Sequence, residues 1–281
     1  MILTGQAKLA GVIGWPVGHS RSPRLHGWWL DHYGIDGAYL PLAAAPEQFA
    51  QVLRTLPLMG FRGANITVPH KQAALAAIDL ADDHAKRIGA VNTVIVRDDG
   101  ALEGKNTDGL GFFAHLTACA PAWAAEAAPA VVIGAGGAAR AIAVALLDAG
   151  VPELRLINRT RERAEALALA LGDPRLKVMP WLARAAALDG AGLLVNTTTQ
   201  GMRGQAPLDL DLAPLPAGAA VFDCVYAPLE TPLLAAARQR GLIGIDGLGM
   251  LIHQARPGFT AWFGREPEIT PALRDFLAQG L

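Results

Sequence analysis

The sequence predicts an α/β protein built as two domains, the second with a doubly wound parallel sheet. Three observations carry this reading. Strand-like and helix-like segments alternate along nearly all of the 281 residues. A glycine-rich turn joins an apolar strand to a helix at residues 134–139. Between the halves, the Pro- and Ala-rich stretch CAPAWAAEAAPA (119–130) loses all pattern and marks a junction. Strands that alternate with helices call for a parallel sheet covered on both faces.

In the first half, LAGVIG (9–14), GAYLPL (37–42) and GANITV (63–68) are strand-like. SRSPRLHGWWLDHYG is helical, with Ser22 as N-cap and Pro23 at the first helical position, where its missing N–H costs nothing. PEQFAQVLRTL (46–56) is helical, as is the alanine-rich stretch from Gln72. NTVIVRDDGALEGKN predicts a hairpin turning at Asp99-Gly100, and TDGLGFFAHLTA a helix. In the second half, AVVIGAGGAARAIAVALLDAG is strand, turn and helix. ELRLINRTRERAEALALAL repeats strand then helix, and GLLVNTT, AAVFDCVYA and GLIGIDG add three strands.

Bulk properties narrow the class. Hydrophobic residues make up 52% and charged ones 17%, enough for a sizeable core. The net charge of −1 lacks the basic footprint of a nucleic-acid binder. The start of the chain has neither the basic residues nor the unbroken apolar run of a signal peptide. No stretch reaches the roughly 18 apolar residues that span a membrane. Cys119 and Cys224 form no CxxC pair, so a reducing, cytoplasmic setting is expected. His19, His26 and His32 lack metal-ligand spacing and acidic company, so no metal is expected.

VIGAGGAAR fits G-x-G-x-x-[GA] through Gly134, Gly136 and Ala139. Gly134 permits the tight turn, Gly136 lets backbone approach a pyrophosphate, and a small residue at 139 lets helix and strand pack closely. The helix N-terminus then offers free N–H groups and its positive dipole end to the anion. The second domain is therefore expected to be a Rossmann-type dinucleotide-binding domain. At the end of its second strand an NAD binder carries an acid for the ribose 2′-OH. Here Asn158 stands there, beside Arg159. Arg163 follows four residues later, and on a helix already begun the two share a face. Two guanidiniums suit a phosphomonoester, which they grip bidentately. The expected cofactor is NADP(H).

The first half collects short polar residues at strand ends and helix starts, in GHSRSP, NITVPHK, GAVNT and KNTDG. Ser20, Ser22, Asn65, Thr67, Asn92 and Thr107 are neutral donors and acceptors; Lys71 and Asp108 are charged. Each alone is explicable as a cap or turn residue. Together they suit a small polyhydroxylated ligand. Lys71 lies past the carboxyl end of a strand, where open α/β sheets bind ligands. His70 beside it reads as structural.

The motifs GWPVGHSRSP, NITVPHK, GAVNT, NTDG, GAGGAAR, NRTRERA and DGLGMLIHQA, in this order over nearly the whole chain, resemble the shikimate dehydrogenase family. The resemblance implies reversible, NADPH-dependent reduction of 3-dehydroshikimate to shikimate in the cytoplasm, on the route to chorismate and aromatic amino acids. It implies an N-terminal α/β substrate domain with a mixed, mainly parallel sheet (1–115 plus 251–281) and an NADP-binding Rossmann domain (119–250). By motif match, Ser20, Ser22 and Tyr226 lie at the substrate carboxylate. Asn65, Thr67, Asn92, Asp108 and Gln254 contact its hydroxyls and carbonyl region. Lys71 and Asp108 are the catalytic pair. Gly134, Gly136, Gly137 and Ala138 meet the pyrophosphate. Asn158, Arg159, Thr160 and Arg163 meet the 2′-phosphate. Asn196, Thr197, Met202 and Gly247 lie near the ribose and nicotinamide. A monomer or homodimer with a small-molecule substrate, no nucleic acid and no membrane is implied. Gly27 and the Trp28-Trp29 pair depart from the family's usual sequence after the serines, and NTTTQGM departs mildly from its usual pattern.

Two rivals stand beside this reading. One is a quinate/shikimate dehydrogenase using NAD, against which the arginines argue. The other is a non-catalytic NADP-binding sensor, which need not keep both Lys71 and Asp108. For the cofactor, Arg159→Ala is expected to weaken NADPH binding by about 1.5–3 kcal/mol, the worth of a charged hydrogen bond, and to leave NADH nearly unaffected. Titration of both cofactors checks this, and equal weakening of the two contradicts it.

Overall fold

The computed structural model describes residues 2–281. Contacts divide the chain into two compact units. One holds the residues up to Asp108 together with Leu251–Gln279; the other holds Gly109–Met250 and the last two residues. The division thus falls ahead of the patternless stretch 119–130.

The first unit begins with β1 (Lys8–Gly14), α1 (Ser22–His32), β2 (Gly37–Ala43), α2 (Phe49–Thr55) and β3 (Phe61–Ile66). It continues through α3 (Lys71–Ala77), β4 (Leu80–Ala81), α4 (Asp83–Ile88), β5 (Thr93–Val96) and β6 (Leu102–Lys105). The sheet order is β2-β1-β3-β5-β6-β4. It is mixed: β1, β2 and β3 are parallel, while β5 runs antiparallel to β3 and β6. The expected hairpin is β5–β6, and Gly100 at its tip takes φ +81°, a conformation that glycine adopts without steric cost.

Several local expectations are corrected. Ser22 is not the cap of α1 but its first residue; Arg21 precedes it in a helical conformation without a side-chain cap bond. The Ser22 hydroxyl is instead engaged with Tyr39. β3 ends at Ile66 rather than Val68, although Thr67 N still donates to Ile13 O at 2.9 Å. The alanine-rich helix starts at Lys71 and is short. It stops because Asp79 pairs with β6, its N–H donating to Leu102 O and its carboxylate accepting from Leu102 N. A second helix, α4, then starts under an Asp82 cap that accepts from Ala85 N at 2.7 Å.

The second unit runs α5 (Asp108–Cys119), whose first residue still counts with the first unit, β7 (Ala130–Ile133), α6 (Gly137–Asp148), β8 (Leu154–Ile157), α7 (Arg161–Leu171) and β9 (Leu176–Met179). It continues with β10 (Leu193–Asn196), β11 (Ala220–Asp223), α8 (Pro232–Gln239) and β12 (Ile243–Ile245). β9 is an edge strand that the sequence pattern did not reveal. The sheet is parallel throughout in the order β12-β11-β10-β7-β8-β9, the doubly wound order with its switch point between β7 and β10. Val132, Leu156 and Val195 pack into one core; Val131, Ile157 and Leu194 pack into the other. Because both faces are covered, neighbouring residues of one strand are apolar alike.

Two last helices, α9 (Gly247–Phe263) and α10 (Pro271–Ala278), complete the chain; the unit limit falls inside α9, after Met250. Beyond that limit α9 feeds an aromatic cluster with α1 and β2. Trp29 and Trp262 are fully buried and donate to Glu268 O and Val94 O, each at 3.0 Å. Gly63, with φ +148°, leaves no room for a Cβ, which would strike Val94 O and the Trp262 indole nitrogen. Trp29 is thus core, while nothing in the structure explains Gly27. Among the described residues no helix is long and apolar enough to cross a membrane.

His26 lies in this cluster, fully buried and stacked on Tyr39 with ring centroids 3.9 Å apart. Neither ring nitrogen is in hydrogen-bonding geometry. Burial holds its pKa down at about 3, against a smaller opposing effect of the Asn65 amide. The folded state therefore refuses a proton that the unfolded chain accepts below its ordinary pKa of 6.5. Stability from this group is present above pH 6.5 and is lost as pH falls. Between pH 6.5 and 4 the loss is expected to be about 3 kcal/mol. Denaturant unfolding across that range checks it, with His26→Phe expected to lose correspondingly less.

Candidate active site

The site grows from strand ends and helix starts of the first unit. Lys71 opens α3 and Asp108 opens α5. Lys71 Nζ and Asp108 Oδ2 are 2.5 Å apart, with the carboxylate side chain 5% and the lysine side chain 17% exposed. The lysine keeps an open side while the aspartate is locked. Asp108 N donates to Asn106 Oδ1, and its other carboxylate oxygen accepts from Asn92 Nδ2 at 2.8 Å. A carboxylate at a helix N-terminus also suits the dipole.

Asn92 is the hub. Nδ2 also reaches Thr107 Oγ1 at 3.0 Å and Gln254 Oε1 at 3.2 Å. Oδ1 accepts from Thr107 N and Thr93 Oγ1. Its backbone oxygen accepts from Ile66 N and from Asn65 Nδ2. Thr107 Oγ1 donates to Gln254 O at 2.8 Å, which ties α9 to the cluster. On the far side, Tyr39 donates its phenol to Asn65 Oδ1 at 2.6 Å, and the Ser22 hydroxyl bonds to the phenol. Burial pushes the Tyr39 pKa well above its usual value, so the phenol remains a donor. Ser20 Oγ accepts from Ser22 N at 3.3 Å. Thr67 is half-buried, its methyl lying over Gly14 where any side chain would collide.

The structure thus gathers Ser20, Ser22, Asn65, Thr67, Lys71, Asn92, Asp108 and Gln254 in one unit. Tyr226 lies in the other, in the segment after β11. Sequence reasoning missed Tyr39, Thr93 and Asn106 as parts of this network. Asn106 was legible in KNTDG, one residue from the flagged Thr107. Thr93 was likewise legible in GAVNT, beside the flagged Asn92, whereas Tyr39 sits inside a strand pattern, where such residues are ordinary. His70 is buried, with Nε2 2.8 Å from Ala44 O and its ring stacked on Phe49, which makes it structural.

In the second unit the glycine turn leaves β7 at Gly134. Gly134 has φ +118°, and a Cβ there would strike the Thr197 hydroxyl, so only glycine fits. That hydroxyl donates to Ile133 O at 2.8 Å, joining the ends of β7 and β10. Gly136 is the N-cap of α6, and a Cβ there would meet nothing within 4 Å. The space beside it suits a phosphate approaching the backbone. Gly137 and Ala138 form the first turn of α6, and Ala139 is fully buried against the sheet.

Asn158 follows β8 directly and its Nδ2 donates to Thr160 O at 2.7 Å, shaping the turn. α7 starts only at Arg161, so Arg159 precedes the helix and the expected shared helical face does not exist. Another feature keeps the basic cluster open. Arg161 is held by Glu165 at 2.7 Å, whereas Arg159 and Arg163 are exposed and make no ion pair among the described residues. Thr160 caps α7 without a side-chain bond. Met202 is half-buried in the loop after β10. Gly247 opens α9 against the Cys224 carbonyl, which a Cβ would strike. Asn196 is fully buried and all its amide atoms are engaged: Nδ2 with Gln200 O and Asp223 Oδ1, Oδ1 with Thr198. Its side chain thus holds the start of the segment that follows β10.

A doubly wound sheet with this glycine turn, in one chain with a mixed α/β unit whose buried polar network ends in a partly open lysine, defines the class: a two-unit, dinucleotide-binding α/β protein. Residues 12–94 match the shikimate dehydrogenase substrate binding domain, 121–201 match shikimate/quinate 5-dehydrogenase, and 247–274 match the shikimate 5'-dehydrogenase C-terminal domain. The shikimate dehydrogenase (NADP(+)) of Paramagnetospirillum magneticum is 61% identical over 98% of this chain and 99% of its own. Shikimate 5-dehydrogenase of Thermus thermophilus, solved with NADP(H) and shikimate, superposes with a TM-score of 0.85 at 38% identity, covering 98% of this chain and 100% of that one. Quinate dehydrogenase of Corynebacterium glutamicum, solved with NAD, gives a TM-score of 0.87 at 32% identity, covering 96% and 98%. The chain belongs to the shikimate dehydrogenase family.

Proposed function

We propose that this chain catalyses the reversible, NADP-dependent reduction of 3-dehydroshikimate to shikimate, with the substrate held by the first unit and NADP(H) by the second. The observation that carries the reading is the Lys71–Asp108 pair at 2.5 Å, locked on one side by Asn92 and open on the other. The fit to NADP(H) rests on the open approach to Gly136 and on Arg159 and Arg163, which pair with no carboxylate among the described residues. The two cysteines form no disulfide, which supports a cytoplasmic setting.

The reduced nicotinamide supplies the hydride. The protein's task is to orient the ketone and deliver a proton to its oxygen. Lys71 carries that proton on Nζ and stabilises the alkoxide charge as it develops. Asp108 aims the ammonium through the bond that holds it. Ser20 offers its hydroxyl to the substrate carboxylate, and Ser22 does so by turning its hydroxyl away from the Tyr39 phenol that it otherwise engages. Asn65, Thr67, Asn92 and Gln254 line the region for its hydroxyls, with Asn65 and Asn92 pre-oriented by their own bonds. A site that spends fixed polar groups on hydroxyls rejects analogues lacking them.

Purified protein mixed with shikimate or quinate, each with NADP or NAD, is expected to form reduced cofactor with shikimate and NADP. Reaction mainly with quinate and NAD favours the rival dehydrogenase, and silence in all four mixtures favours a sensor. Lys71→Ala is expected to lower kcat by roughly 10²–10⁴-fold and to change KM little. A change confined to KM makes Lys71 a binding residue instead.

A further inference from the structure

Asp223 ends β11, is fully buried, and makes no ion pair among the described residues. A carboxylate buried without a cation costs stability, and burial pushes its pKa up to about 6, offset in part by bonds from Thr231, Val225 and Asn196. What the group secures is geometry. Oδ1 accepts from Asn196 Nδ2 at 2.9 Å and from Val225 N at 3.0 Å; Oδ2 accepts from Thr231 Oγ1 at 2.7 Å.

Asn196 ends β10 and leads into the segment after it, while Val225 and Thr231 lie in the segment after β11; both strands end at the carboxyl edge, where doubly wound sheets bind ligands. Asn196 passes the restraint on by bonding Gln200 O and Thr198. Thr231 packs against the position of Gly201 and accepts from Leu234 N, capping α8. The segments also meet directly, Arg203 N donating to Ala227 O at 2.7 Å. Val225 O in turn accepts from Gly247 N, at the start of α9. One carboxylate therefore sets the spacing between the loop of Thr197 and Met202 and the segment of Tyr226.

We propose that Asp223 is a positioning residue for NADP(H): it acts through Asn196 and Thr231 to hold the loops after β10 and β11 in the arrangement that receives the cofactor. This rests on the reading that the second unit binds NADP(H). Asp223→Asn keeps the shape but presents an N–H to one of the three donors. Thr231→Val removes one donor without touching the carboxylate and serves where the first variant folds poorly.

Calorimetric titration with NADP+ and steady-state kinetics in shikimate test the proposal. In both variants Kd for NADP+ is expected to rise about fivefold or more, the equivalent of one lost hydrogen bond, and to rise by more than KM for shikimate, which changes only through the Tyr226 segment. Wild-type binding with unchanged affinity in the variants overturns this inference alone. A parallel rise of Kd for NADP+ and KM for shikimate with a lowered thermal midpoint also overturns it, since the residue is then merely structural. No NADP+ binding by the wild type overturns the cofactor reading, and this inference falls with it.

Discussion

An amide buried away from water must spend its polar atoms on the protein or lose stability. Asn92 is 2% exposed, and that constraint organises the first unit. Its side chain joins the strand–helix connection at Thr107 and Asp108 to Gln254 of α9, and its backbone receives β3 and Asn65. The elements that supply the proposed substrate contacts are the same ones whose buried polar groups need Asn92. Binding geometry and fold stability are thereby one requirement. A half-satisfied network of this kind is worse than an apolar core, so its members hold together or fail together.

A second constraint is close approach of backbone. Gly134 gives way to the Thr197 hydroxyl, Gly14 to Thr67, Gly63 to Trp262, and Gly247 to the Cys224 carbonyl. In each case a polar or aromatic side chain, or a carbonyl, occupies the volume that a Cβ would take. Gly136 is different: no protein atom lies within 4 Å of its Cβ position. The first kind of glycine is explained by packing. The second sits at the N-cap of α6, where free N–H groups and the helix dipole favour an anion, and its open side leaves that approach clear.

Charge is used in two ways. Lys71 and Asp108 form a paired site with an open side. Asp223 is buried with neutral donors only, a stability cost that secures the spacing of two loops. Among the arginines of NRTRERA, Arg161 is neutralised by Glu165 while Arg159 and Arg163 are not. A cluster that reads as uniform charge in sequence is thus resolved by one i,i+4 pair into a tied residue and two available ones.

The alternation of strands and helices, the doubly wound half and the glycine turn were legible in the sequence, because apolar strands and Gly-x-Gly spacing are local signals. The motifs carrying Lys71, Asn92 and Asp108 were equally legible, and they pointed to the family. The split of the alanine-rich stretch into α3, β4 and α4 was not, since it depends on Asp79 pairing with β6 far along the chain. Nor were the tasks of Tyr39, Thr93, Asn196 and Asp223, which are set by partners on other strands. Sequence by itself determined the fold class and the polar side chains offered at strand ends and helix starts, because periodicity and side-chain type are properties of the chain. Only the tertiary structure decided which polar groups are spent on each other and which remain open, because hydrogen-bond capacity is finite and long-range neighbours claim it first.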